Sequence, residues 1–382
     1  MPLFHFNAQA PYRINDPSRI ATPRLLIFED RVARNIQHMR QQLEHIAPGS
    51  GFRHLCPHVK TNKSTWITRQ LVEAGITDVK VTMREVEVAS KAGAKNIFVA
   101  YPLLEHEART LAHLLKRRPE VNFQVQIGSP SHARILQRVA ENEEVIWNCF
   151  LDVDVGMHRT GMQPENALKT FAEISSQRCF KFAGLHGYDG HIHYPEAERR
   201  KAESERAMAK LLDLLHAFRA LNVSVERIIV AGSPTFQHDL EILVREINDG
   251  PRVQVSPGTW ILWDSNYQKM MPGSFEIAAL ILAQVMDVGS ESRITLNLGH
   301  KRWAAESGKV ELFSRTGMQV VSFSEEHTVL EHAPEEKFEV GDYVLVAPRH
   351  VCPTVNLWED FTLINGEGEI AIMSSPVDGR NR

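Results

Sequence analysis

Two short segments, far apart in the chain, hold the residue types that can do chemistry. In Pro57-His58-Val59-Lys60-Thr61-Asn62-Lys63 a lysine stands at the end of a short run, Arg53 to Val59, that reads as a strand. A side chain at such a place points out of the end of a sheet or barrel, where α/β enzymes keep their chemistry. A lysine acts as a nucleophile only when its amine can lose a proton, and a second cation nearby encourages that loss. His58 and Lys63 are candidate neighbours. In the second segment, Arg349-His350-Val351-Cys352-Pro353-Thr354-Val355-Asn356, His350 and Cys352 lie two residues apart. An extended Tyr343–Cys352 would project both from one face. An imidazole and a thiolate so placed suit Zn²⁺ or a similar divalent ion, with positions left for water or substrate.

The elements that must position these residues follow from hydrophobic patterning. Strand-like runs at Arg53–Val59, Asp78–Thr82, Asn96–Tyr101, Asn122–Ile127, Asn148–Asp154, Phe182–Tyr188, Arg227–Ala231 and Arg252–Ser256 are separated by segments such as Met83–Ala92, Ser131–Glu141, Pro164–Ser176 and Glu196–Leu221, several of them helical in pattern. This alternation predicts an α/β fold with a parallel (β/α)8 barrel. No Gly-x-Gly-x-x-Gly turn follows any of the strands, which argues against a doubly wound open sheet. A strand and helix, Leu25–Phe28 and Asp30–Glu44, precede the barrel. Beyond about Pro272 long helical patterns end. The runs Glu276–Val285, Arg293–Leu298, Met318–Phe323, Thr328–Glu331 and Tyr343–Val346 predict a smaller, mostly antiparallel β domain. The expected division is a barrel over 22–271 and a β domain over 1–21 and 272–382.

Composition excludes several partner classes. The 382 residues carry a net charge of −4, with 43% hydrophobic and 24% charged residues, which speaks against a nucleic-acid or anionic-membrane surface. No stretch approaches the roughly 20 apolar residues of a membrane span. The opening residues lack the basic start and apolar core of a signal peptide. The four cysteines, Cys56, Cys149, Cys179 and Cys352, are scattered and form no Cys-x-x-Cys pair. A cytoplasmic location is expected.

In a barrel the C-terminal strand ends converge on one mouth. That mouth would gather Lys60, Thr82, Asp154, the Gly156–Arg159 loop, His186, Tyr188 and Asp189, with His191 and His193 just beyond. It would also hold two small-residue turns, Gly232-Ser233-Pro234-Thr235 and Pro257-Gly258-Thr259, whose backbone N–H groups could cradle a phosphate. A phosphate cradle opposite a strand-end lysine points to pyridoxal phosphate joined to Lys60 as a Schiff base, with Arg159 and Tyr188 placed to orient the ring. A salt bridge from Arg159 to Asp152 or Asp154 is the competing expectation for that arginine.

The two segments together resemble the D-threonine aldolase and D-serine dehydratase family, fold-type III pyridoxal-phosphate enzymes with an alanine-racemase-like barrel. The likeness rests on Pro57–Lys63 and His350–Thr354, and on two segments between them, Asp152-Val153-Asp154-Val155-Gly156-Met157-His158-Arg159-Thr160-Gly161 and Gly184-Leu185-His186-Gly187-Tyr188-Asp189-Gly190-His191. It spans about Thr22 to Asp360. The resemblance implies that Lys60 carries the cofactor and that Arg159 and Tyr188 contact its ring. It implies that Ser233, Thr235, Gly258 and Thr259 surround the phosphate, and that His350 and Cys352 bind zinc or manganese. It further implies a homodimer acting on a D-amino acid. Cys56 stands where an arginine often precedes Pro-His, and Asn62 where a histidine is common, so the substrate pocket is expected to differ.

Two reactions suit these parts. In a D-threonine aldolase type, the metal binds the β-hydroxyl, a histidine takes its proton, and D-threonine gives glycine and acetaldehyde. His193 is the candidate base. In a D-serine or D-3-hydroxyaspartate dehydratase type, Lys60 takes the Cα proton, and elimination gives a keto acid and ammonia. The His-x-Cys pair leans to the dehydratases and His193 to the aldolases, and the aldolase type is the favoured expectation. A noncatalytic cofactor-binding protein would lack the β domain and the metal pair, and a metal-free racemase would have no use for His350 and Cys352.

Overall fold

Seven short runs rich in β-branched and aromatic residues pair in parallel and in strict chain order: Asp78–Val81, Asn96–Val99, Asn122–Ile127, Trp147–Val153, Phe180–Gly187, Arg227–Val230 and Arg252–Val255. Sequential parallel pairing requires a crossover after every strand, and helices such as Val86–Ala92, Glu105–Arg117, Pro130–Glu143 and Ala197–Ala220 supply it. Ala197–Ala220 buries Met208, Leu211, Leu215 and Phe218 along one stripe. The computed structural model describes residues 3–6, 11–290, 292–308, 312–315 and 317–380.

The eight expected regular strands are seven. Arg53–Val59 is not a strand. Pro57 at its centre offers no N–H to a ladder, and the segment makes only single parallel bridges, Leu55 with Val255 and His58 with Lys80. It still hydrogen-bonds to both edges of the sheet, from Cys56 N to Val255 O at 2.9 Å and from Lys80 N to Pro57 O at 2.9 Å. The other seven strands of the parallel sheet have boundaries within two residues of the patterning, whereas the run expected at Glu276–Val285 forms a strand at Ala279–Ser290.

Side chains of one parity along these strands build layers, as period-two alternation dictates. At the N-terminal ends runs an amide ladder, with Asn96 Nδ2 donating to Asp78 Oδ1 at 2.6 Å, Asn122 to Asn96 at 2.9 Å and Asn148 to Asn122 at 2.7 Å. Above it Cys56, Phe98, Phe150, Ala183 and Ile229 pack as an apolar plug. Along Trp147–Val153 successive steps of two residues lead from Asn148 in the ladder through Phe150 in the plug to Asp152 above it.

The chain divides into two compact units, Met39–Lys60 with Thr68–Gly258, and Met1–His38 with Thr61–Ile67 and Thr259–Arg382. The first contains the parallel sheet. The second is built on a mostly antiparallel sheet whose long strand, Ala279–Ser290, pairs with Arg24–Phe28, Tyr343–Ala347 and Arg293–Leu296. Leu25–Phe28, read in sequence as preceding the barrel, lies inside this second sheet, antiparallel to Ala279–Leu282 and parallel to Thr362–Ile364. Its four successive buried apolar residues require cover on both faces, which an interior strand receives. Among the described residues, no helix is long and apolar enough to cross a membrane.

The bulge in the parallel sheet between Cys149 and Phe150 falls opposite Gly184, where an ideal Cβ would stand 1.9 Å from the Arg227 carbonyl oxygen. Gly184→Ala is therefore expected to force the strands Phe180–Gly187 and Arg227–Val230 apart and destabilise the protein by roughly 2–3 kcal/mol. A denaturant titration checks this, and an unchanged midpoint would contradict the close approach.

Candidate active site

Lys60 sits in a single 3-10 turn, Val59–Thr61, directly after the irregular segment that bridges the sheet edges. With Lys80, Asp152, Arg159, His186 and Tyr188 it lines a cavity of about 510 Å³ over the parallel sheet. Three basic side chains lie near one aromatic ring there. The Lys80 Nζ lies 5.1 Å from the Tyr188 ring centroid, the Arg159 guanidinium carbon 5.1 Å and the Lys60 Nζ 5.9 Å. The ring's negative face suits such neighbours. Gly190 is needed for this placement, because a Cβ on it would stand 2.3 Å from the Tyr188 ring.

Beneath the ring runs a chain of buried polar groups that sequence reading did not assemble. Gln126 Nε2 and Thr160 Oγ1 donate to Asp152 Oδ2 at 2.7 and 2.9 Å. Asp152 Oδ1 lies 2.7 Å from His186 Nδ1, and His186 Nε2 lies 3.0 Å from Lys80 Nζ. A carboxylate can only accept, so Nδ1 carries the imidazole proton and Nε2 is left as acceptor for the lysine. Burial, with the charge of Lys80, pulls His186 below its usual range. Burial, helped by the charge of Lys60, lowers Lys80 to about 8. One signal for Lys80 was available in sequence. It stands inside the strand-like run Asp78–Thr82, two residues before Thr82 and so on the same face, and the structure buries it.

The loop that carries Arg159 is organised by Asp154. Its Oδ1 accepts from the N–H groups of Gly156 and His158 at 3.0 and 2.9 Å, and its Oδ2 lies 2.7 Å from His158 Nδ1. Burial opposes the charge of Asp154, but the hydrogen bonds from His158 and Gly156 outweigh it and hold the carboxyl below its usual range. The carboxylates of Asp152 and Asp154 are thus engaged by other groups, and Arg159 faces Tyr188 instead.

The small-residue turns adjoin this wall without lining the cavity. Ser233 Oγ accepts from Gly258 N at 3.2 Å, which ties the two turns together. Gly232 N donates to Asp189 Oδ1 at 2.9 Å and to Thr235 Oγ1 at 3.2 Å, and a Cβ on Gly232 would lie 3.5 Å from Tyr188 Cε2. Ala231, just before it, adopts φ +73°, a strained setting for a residue with a Cβ and of the kind found at ligand-binding turns. Thr259 belongs to the other compact unit. His193 is exposed in the loop after Phe180–Gly187 and is not part of the cavity wall; its ring lies parallel to that of Tyr194, 6.3 Å between centroids.

His350 and Cys352 come together by a different route from the extended strand expected for them. The strand Tyr343–Ala347 stops short, His350 is the N-cap of a helix, Val351–Asn356, and Cys352 lies in its first turn. Asp264 Oδ2 accepts from Val351 N at 3.1 Å, and Thr354 Oγ1 donates back to His350 O at 2.8 Å. Partial burial works against charge on His350, but its hydrogen bond to Cys352, with Asp264 and Glu306 nearby, holds the imidazole above its usual range. The hydroxyls of Thr61 and Thr259 lie 3.2 and 3.7 Å from Cys352 Sγ. An imidazole and a thiol in mutual hydrogen-bond reach fit a divalent ion of zinc type. Among the described residues no group of three or more His, Cys, Asp or Glu is arranged as a metal cage, so two protein donors would leave positions for water or substrate.

Comparison with known proteins agrees with this architecture. A family model described as the alanine racemase N-terminal domain matches residues 27–247, and one described as a putative serine dehydratase domain matches residues 278–364. The chain is 25% identical over 374 residues to a 3-hydroxy-D-aspartate aldolase of Paracoccus denitrificans (strain Pd 1222), covering 93% of this chain and 91% of that protein. It is 21% identical to a D-serine dehydratase of Dictyostelium discoideum, with 93% and 96% covered. The crystal structure of D-threonine aldolase from Filomicrobium marinum superposes with a TM-score of 0.86 at 25% identity, covering 98% of this chain and 99% of that one. With both domain types matched in order along its length, the chain belongs to the D-threonine aldolase and D-serine dehydratase-like family, which joins an alanine racemase N-terminal domain to a serine dehydratase domain.

Proposed function

We propose that this chain, a pyridoxal-phosphate-dependent lyase of its family, cleaves D-β-hydroxy amino acids between Cα and Cβ, so that D-threonine gives glycine and acetaldehyde. The observation that carries the reading is the cavity where the Lys60 amine meets Tyr188 and Arg159, a space suited to a pyridine ring with a small amino acid. The resemblance in sequence and fold to an aldolase of each kind supports the choice of bond.

In this reading Lys60 holds the cofactor covalently through its amine, and Tyr188 and Arg159 orient the pyridine ring. Ser233, Thr235, Gly258 and Thr259 surround the phosphate, a role supported by the hydrogen bond that ties the two turns. Pyridoxal phosphate would supply an electron sink for charge developing at the substrate Cα. A divalent ion, zinc or manganese, on His350 and Cys352 would supply a Lewis acid for the substrate hydroxyl. His193 is the base assigned to that hydroxyl. Its exposure outside the cavity favours a second reading, elimination to a keto acid and ammonia, in which Lys60, a cavity residue, takes the Cα proton.

Product analysis separates the two reactions. Incubation with D-threonine, D-serine and D-3-hydroxyaspartate is expected to yield glycine and an aldehyde; a keto acid with ammonia would establish elimination instead. His193→Ala should lower aldol cleavage by about 10²-fold or more if His193 is the base, and undiminished cleavage would remove it from that role. Lys60→Ala should abolish the visible absorbance of the purified protein, and a retained spectrum would overturn the attachment. His350→Ala and Cys352→Ala should each weaken zinc or manganese binding by at least about ten-fold in calorimetric titration. Chelation should stop turnover with the visible absorbance unchanged, and turnover that persists would exclude a metal role.

A further inference from the structure

Asp239, 0% exposed, is a buried carboxyl group with no part in the proposed reaction. It lies in the first turn of the helix Phe236–Glu246, which begins directly after the turn Gly232–Thr235. Its hydrogen-bonding neighbour is a second carboxyl group, that of Asp189, also 0% exposed, in the loop that follows Phe180–Gly187. Neither oxygen of Asp239, nor Asp189 Oδ2, meets an N–H or hydroxyl donor in hydrogen-bond geometry. Asp189 Oδ1 is engaged, by Gly232 N at 2.9 Å. The other polar groups acting most strongly on Asp239 are the hydroxyls of Ser204, on Ala197–Ala220, and of Thr235, and none of these neighbours is basic.

Two carboxylates in contact away from water cannot both stay ionised, and such a contact is a hydrogen bond only when one group keeps its proton. Burial, with the charge of Asp189, holds Asp239 well above the usual carboxylate range. The N-terminal end of its helix favours charge there but does not outweigh these two effects. Lys80, from the strand Asp78–Val81, and His191, from the loop of Asp189, act when protonated on Asp189 and favour its ionised form. We propose that Asp189 and Asp239 share one proton, held on Asp239, and that the pair positions the turn Gly232–Thr235 beside Tyr188 to receive a phosphate. The proton lets Asp239 donate to Asp189 Oδ2 while Asp189 Oδ1 keeps its bond from Gly232 N. Thr235 Oγ1 accepts from the same Gly232 N at 3.2 Å, and Thr235 O accepts from Asp239 N at 2.9 Å. Both ends of the turn are thus tied to the carboxyl pair. The positioning role rests on the reading of this turn as a phosphate site; the shared proton does not.

Infrared spectroscopy of the full-length protein reads the proton directly. At about pH 8, far above the ordinary carboxylate range, wild type is expected to show the C=O band of a protonated carboxylic acid. Isotope labelling of the aspartate γ-carbon should shift that band, and Asp239→Asn should abolish it. No such band in wild type, or its survival in Asp239→Asn, overturns the shared proton. Asparagine keeps the shape and the donor of the neutral acid, so a variant unable to fold contradicts a neutral Asp239 equally. Titration of the cofactor-free protein with pyridoxal phosphate and with pyridoxal, which lacks the phosphate, reads the positioning role. Asp239→Ala, or Asp239→Leu if the first does not fold, deletes the donor. It is expected to weaken pyridoxal phosphate binding about ten-fold more than pyridoxal binding, and Asp239→Asn to restore most of that difference. Equal losses for the two ligands overturn the positioning role. A wild type that does not prefer pyridoxal phosphate to pyridoxal would instead overturn the phosphate site, with the infrared result standing apart from it.

Discussion

A lysine amine that is 3% exposed needs acceptors inside the protein, and the upper layer of the parallel sheet is arranged around that requirement. Lys80 has His186; His186 can accept only because Asp152 holds its other proton; Asp152 in turn is saturated by Gln126 and Thr160. Four different strands and a loop contribute to this one chain of hydrogen bonds. Breaking any member would leave a buried polar or charged group unpaired, which costs more than a net hydrogen bond gives. The apolar plug of Phe98, Phe150 and Ile229 below it separates this layer from the amide ladder at the opposite end of the strands. The low-dielectric surroundings strengthen every interaction above the plug.

Upon that layer stand loops that convert strand ends into a cavity wall. Asp154 does this by accepting from two backbone N–H groups of the loop after its own strand, which fixes where Arg159 emerges. Asp189 does it by accepting from Gly232, which links the loop after Phe180–Gly187 to the turn after Arg227–Val230. Tyr188 lies between these devices, with Gly190 and Gly232 leaving room on two sides of its ring. The wall is therefore held together by hydrogen bonds within the protein itself. This is the condition under which a bound group can be oriented without further ordering.

Relatives of this chain are named as aldolases and as dehydratases, and the two reactions differ in which proton is moved. Aldol cleavage removes a proton from a substrate oxygen; elimination removes one from Cα. His193 lies on an exposed loop outside the cavity wall.

Much of the fold could be read in advance because it rests on local rules. Alternating apolar runs and helical patterns marked seven of the parallel strands to within two residues, and the change of character after Pro272 marked the antiparallel sheet. Lys60, Arg159 and Tyr188, singled out from motif segments in the sequence, line one cavity, although Lys60 reaches it from a 3-10 turn and not from a strand end. Three features were not. Arg53–Val59 looked like a strand, but Pro57 withholds the N–H that a ladder needs. Leu25–Phe28 looked like a prelude to the barrel, but a run buried on both faces is claimed by whichever sheet has an interior place for it. Lys80 looked like one charged residue in a short strand. Local patterning thus set the element types and the motif positions, since both depend on neighbours along the chain. The pairing of Lys80 with His186, 106 positions away in sequence, was decided by tertiary structure, because an acceptor for a buried charge is selected by proximity in space.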